Sequence, residues 1–187
     1  MGFSEDRLQA STSGVFDFRY DLNRIFKVES NIDALNLVLG KDSIVTDQFY
    51  LMAEALKDTT AAKVRTGDLD VSFVTPYNMF SLMPKVEKLA KVATAQFKKH
   101  DVDINALKAY LPIVSLHVDA GCNNPAAVIL RTYGIRFNEF NADIEASPER
   151  GLVSDGHIYS FMSDSLRIDT AYFDIAQDSA QLDFHAG

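Results

Sequence analysis

The sequence predicts an α+β protein built on an antiparallel β-sandwich or barrel with one flanking helix. Three observations lead there. In "GDLDVSFVTP", Leu69, Val71 and Phe73 alternate strictly with Asp70 and Ser72, the period of a half-buried strand. Directly after it, Met83, Val86, Ala90, Ala93 and Phe97 repeat at three and four residues, which draws one apolar stripe along a helix. Beyond position 110, short β-rich runs follow one another with turn residues between them.

In chain order, residues 1–14 are polar and aperiodic and read as an N-terminal arm. "VFDFRYDLNRIFKVES" reads as one or two strands, with Phe16 and Phe18, then Phe26 and Val28, on single faces. The period then changes. Ile32, Leu35, Leu37, Val38 and Leu39 precede Gly40, a helix stop, and Val45, Phe49, Met52, Ala53 and Leu56 recur at helical spacing over residues 43–57. Residues 31–66 are therefore expected as a helical and loop insertion within a single domain of residues 1–187.

The strand from Leu69 ends at Pro76, which has no N–H for a sheet ladder. The following helix is expected from Met79 to Lys99, capped by Ser81, with Pro84 in the first turn and Lys85, Lys88 and Lys91 opposite the stripe, and it should pack on the sheet. Residues 101–109 read as a linker, "YLPIVSLHVD" as a strand and "GCNNPA" as a turn. "AVILRTYGIRF", "FNADIEAS", "HIYSFMS" and "LRIDTAYFDI" are then expected as a closely spaced antiparallel set, with the chain re-aimed at Asn138 and Glu139.

Charge is distributed by position. Ten acids and two bases lie between Glu139 and Gly187, so that segment carries the whole net charge of −8. A surface of that sign does not grip phosphates, which need Lys and Arg. The same residues also serve as a plain solvated surface. Cys122 is the only cysteine, so no internal disulfide forms and a reducing compartment is expected. The start shows no secretory pattern, Asp6 breaks the myristoylation pattern, and no apolar run is long enough for a membrane-spanning helix.

Chemistry finds few footholds. His117, Asp119 and Cys122 are the residue types of a thiolate nucleophile, its base and an orienting group, but Cys122 falls in a turn beyond the strand that holds the other two. His100, Asp101 and Asp103 offer metal-ligand types without an EF-hand glycine or a His-Glu-x-x-His helix. "RTGDLD" leads into a strand, so it is not a phosphate loop. Asp143 and Glu145 share a strand face, as a glycosidase pair does and as any acidic surface does. Phe137, Phe140, Tyr159, Phe161, Tyr172 and Phe173 have acidic neighbours and read as packing residues, not a base-stacking platform. No catalytic residue, metal or cofactor is expected.

Taken in order, "LDVSFVTPYNMFSLMPKVEKLAKV", "ILRTYGIRFNEFNADIEAS" and "HIYSFMSDSLRIDTAYFDI" resemble the tail tube proteins of contractile-tailed bacteriophages, which share a fold with the Hcp ring protein of type VI secretion. The resemblance covers about Leu69 to Ile175. It implies a structural subunit without turnover, assembled as hexameric rings that stack into a tube, with tail sheath and baseplate proteins as partners. DNA would pass through without specific binding, and the subunit, made in the host cytoplasm, would reside in the virion. The resemblance makes Asp143, Glu145 and Asp169 the candidate lumen-facing acids, with Ile144, Ile168 and Tyr172 turned toward the helices. Phe16, Phe18, Phe49 and Tyr50 are the candidate inter-subunit and stacking residues. The helical reading of residues 31–60 and the linker depart from the pattern and suit a tube initiator, a terminator or a neck ring. A small cytosolic enzyme using Cys122 and His117 is the alternative from another class.

Overall fold

In a computed structural model, the chain is described over residues 8–21, 25–39, 42–46, 48–99, 103–177 and 182–186. The elements are β1 (Leu8–Asp21), β2 (Ile25–Leu39), β3 (Asp42–Thr46), β4 (Phe49–Ala55), β5 (Thr60–Thr66) and β6 (Leu69–Thr75), then α1 (Met79–Lys99) and α2 (Ile104–Lys108). β7 (Val114–Gly121), α3 (Pro125–Thr132), β8 (Glu139–Ser147), β9 (Gly151–Met162), β10 (Arg167–Gln177) and β11 (Leu182–Ala186) complete the chain. All eleven strands join one sheet in the order β1-β2-β4-β5-β6-β7-β8-β9-β10-β11, with β3 also paired to β2. Every pairing is antiparallel. The architecture is thus α+β, a meander interrupted by helices where β6 leads to β7 and β7 to β8. Its order is open, with β1 and β11 at the two ends.

Cross-strand register sorts the side chains. Phe18, Val28, Ala53, Ala62, Phe73, Leu116, Ile144, Ser154 and Ile175 stand opposite one another from strand to strand, and so define one face. Glu29, Met52, Lys63, Ser72, His117, Asp143, Asp155 and Asp174 form a matching row on the other. Alternation of period two produces this segregation, so one face is apolar and the other carries charge. The apolar face is thinly covered. Its fully buried apolar side chains are mostly small, Ala55, Ala120, Ala142 and Ala146, while Leu51, Phe73, Leu116 and Ile144 stay half-exposed.

Residues 31–39, 42–46 and 49–55 correct the sequence reading: they form strands, not helices. Register explains the false period. Ser13 faces Ala34 and Gly14 faces Ile32, which leaves Asp33 as the extra residue of a bulge in β2. The bulge turns the alternation Phe26, Val28, Ser30, Ile32 into Leu35, Leu37, Leu39, and the step of three at the junction imitates a helix. Two ladders then hold β2, with β1 on one side and β4 and β3 on the other, so tertiary pairing overrides the local pattern. The arm is corrected likewise, since Leu8–Asp21 is strand; residues 1–7 lie outside the described ones.

"AVILRTYGIRF" is also corrected, because Pro125–Thr132 is a helix. The Asn124 side chain accepts a hydrogen bond from the Ala127 amide and Pro125 occupies the first turn, the cap and preset φ that start a helix. Gly134 ends it at φ 75°, where the Ile135 amide bonds the Leu130 carbonyl and the Gly134 amide bonds the Arg131 carbonyl. The strand–kink–strand expected around Asn138 and Glu139 is therefore helix, glycine stop and strand, with β8 opening at Glu139. Residues 101–109 include the short α2.

The predicted bounds of α1 hold, but its details change. Asn78, not Ser81, caps it through Phe80, and Pro84 sits in the second turn. The closest packing partner of α1 among the described elements is α2 rather than a strand.

Candidate functional site

The charged face is built from the register outward. On it, Asp143 of β8 faces Asp155 of β9, and Asp155 faces Asp174 of β10. Like charges set directly opposite repel, so such a row persists only where water screens it, and all three are exposed. Asp143 Oδ1 lies 2.7 Å from His117 Nδ1 on β7. Glu145 pairs with Arg150 at 2.7 Å, and Glu139 with His157 at 2.9 Å. Among the described residues, no cation pairs with Asp155 or Asp174. Near β5 the balance differs: Lys63 and Arg65 both reach Asp70, at 3.6 and 2.7 Å. Acidity therefore builds from β5 toward β10 across one continuous face.

Of the three candidate lumen acids, the sheet brings Asp143 and Glu145 onto that face. Asp169 alternates with Ala171, Phe173 and Ile175 of the opposite face, and its side chain is 93% exposed beside Arg167. Tyr172 is a correction in the reverse direction. It stands opposite His157, in register with Asn141, so it belongs to the charged face, and Ile168, four residues earlier on the same strand, shares that face. The Tyr159 and Tyr172 hydroxyls meet at 2.9 Å. That bond holds the Tyr159 phenol neutral and pushes its pKa up.

The thiol centre is not assembled. His117 faces Asp143, while Cys122 lies five residues further on, just beyond the end of β7, at most ~17 Å along the chain at strand rise. Half-buried Cys122 lines a cavity of about 230 Å³ with Ala127, Arg131, Ile135, Arg136, Phe137 and Asn138. Asp103 caps α2 through the Ala106 amide, and His100 and Asp101 lie outside the described residues. Among the described residues no three His, Cys, Asp or Glu side chains group as a metal site. Among the described residues no helix is long and apolar enough to cross a membrane.

The candidate contact residues divide. Phe16 and Phe18 are exposed on the apolar face of β1, Phe49 is half-buried on that face opposite Ile32, and Tyr50 is on the charged face opposite Arg65. The chain exposes 12346 Å². A compact monomer of this mass exposes ~8,900 Å².

One structural centre escaped the sequence reading. The Asp68 carboxylate accepts from the Asn123 amide and the Asn124 side chain, which joins the β5–β6 turn to the start of α3. "GCNNP" was legible as a turn and "RTGDLD" as the approach to a strand, but nothing in either names the other.

The chain matches no protein-family model, and no curated protein or solved structure matches it.

Proposed function

We propose that this chain is a structural subunit of a phage tail tube: it joins copies of itself edge to edge into rings that stack around a channel for DNA. The observation that carries the reading is one antiparallel sheet with two open edges, an acidic face and a poorly covered apolar face. Open edges expose unpaired backbone groups, and closing the sheet with neighbouring copies satisfies them. With the face of Asp143, Asp155 and Asp174 turned inward, the wall repels phosphates and offers few cations to hold them. The apolar face and exposed Phe16 and Phe18 would then meet other subunits. Sheath and baseplate proteins are the outer partners this reading implies, and the assembled virion is its place of action.

Electron microscopy of the purified protein over a concentration series tests this. Rings or tubes with a central channel are expected. Monomers alone at every concentration, with and without tail partners, would defeat the reading.

A further inference from the structure

Helix α1 carries a broad apolar arc, and the described residues cover only one part of it. Leu82 is buried, and Leu89, Val92 and Gln96 on the same side are half-buried. That side faces the chain's own body: the Gln96 side chain accepts from the Asp103 amide ahead of α2, and Lys88 sits over the Tyr110 ring beyond it. Met79, Met83, Val86 and Ala90 form a second stripe beside the first, roughly 100° round the helix, and exposed, with Met79 at 45%, Met83 at 52% and Val86 at 41%. A helix beside water needs one apolar stripe; a second one is made for a partner.

The β1–β2 hairpin carries a matching feature. Phe16, Phe18 and Tyr20 alternate on one face of edge strand β1 and are 66%, 56% and 62% exposed. Three adjacent aromatic residues on an edge strand leave an apolar patch where a lone subunit would need charge. The two patches also agree in length. Met79 to Ala90 spans ~16 Å of helix, and Phe16 to Tyr20 ~14 Å of strand.

We infer that the exposed stripe of α1 receives the β1–β2 hairpin of a second copy, with Phe16, Phe18 and Tyr20 seated against Met79, Met83 and Val86. The contact rests on the self-assembly proposed above and specifies it. Used head to tail, with each copy giving its hairpin to the next, the contact is heterologous and generates a ring where the rotation closes. It would cover part of the surface that the chain exposes beyond a compact monomer, and buried aromatic anchors of this kind dominate interface energies.

A mixing experiment tests it by analytical ultracentrifugation of Phe16→Asp and Val86→Asp, with circular dichroism confirming the fold of each. Each variant alone should associate at least about tenfold more weakly than wild type. An equimolar mixture should associate measurably more strongly than either variant alone, since one pair of intact surfaces survives between the two chains. Tyr20→Lys mixed with Met83→Lys should repeat the result and guards against a misfolded variant. Wild-type-like assembly by the single variants, or a mixture that remains monomeric, would overturn the docking while leaving ring assembly standing. A wild type that never self-associates would overturn both.

Discussion

Asp68 Oδ1 accepts a hydrogen bond from Asn124 Nδ2 at 2.8 Å, across 56 residues of chain. Asn124 is fully buried, and the same side chain donates to the Gly121 carbonyl and accepts from the Ala127 amide. It therefore starts α3, closes the end of β7 and pins the β5–β6 turn at once. Asn124→Ala removes the cap and leaves two acceptors without their donor. A loss of about 2–4 kcal/mol is expected in urea unfolding, the sum of a cap and an unmet buried group.

Gly156 lies between β8 and β10, where a Cβ would strike the Asn141 carbonyl and come within 3.0 Å of Ala142 Cα and 2.5 Å of the Phe173 ring. The ring could turn aside; the backbone of β8 cannot. Gly156→Ala should cost about 1–3 kcal/mol by forcing the strands apart. Thermal unfolding unchanged from wild type would show that β9 sits differently between its neighbours.

The Tyr159 hydroxyl is held by Tyr172, which raises its pKa above the usual tyrosine value. A raised value in the folded state means that the folded chain keeps a proton the unfolded chain gives up. The stabilisation is complete below the unfolded value and is lost as pH rises through the folded one. Tyrosinate absorbance should show one tyrosine ionising late, and Tyr172→Phe should bring that step down toward the ordinary range. A titration that Tyr172→Phe leaves unchanged would assign the shift elsewhere.

The acidic row makes a prediction about passage. Wild-type assemblies should not retain duplex DNA at low salt. Replacing Asp143, Asp155 and Asp174 with Lys should create retention that falls steeply as salt rises, by release of counterions from the phosphates. Retention by wild type, or none by the triple variant, would place these residues away from any DNA path.

Much of the sheet was readable because its signals are local. Leu69, Val71 and Phe73 announce β6, Pro76 stops it, and the bounds of α1 follow from the stripe beginning at Met79. β8, β10 and the second half of β9 follow from alternation and turn residues, while residues 151–156 read as a turn and β11 was not read. Failures came where one residue changed the meaning of a stretch. Asp33 inserts a bulge that makes a strand count like a helix, and Asn124 with Pro125 starts a helix in a run of Val, Ile and Leu.

By itself the sequence determined the period of most strands, the length of α1 and the acidity of the final third, since these depend on neighbours along the chain. Tertiary structure alone decided that Asp143 faces Asp155 while Asp169 takes the other face, that Asp68 holds Asn124, and that α1 leaves a stripe uncovered. Those relationships depend on cross-strand register. A shift of one residue would exchange the two faces of the sheet, and register is settled only when all the strands pair together.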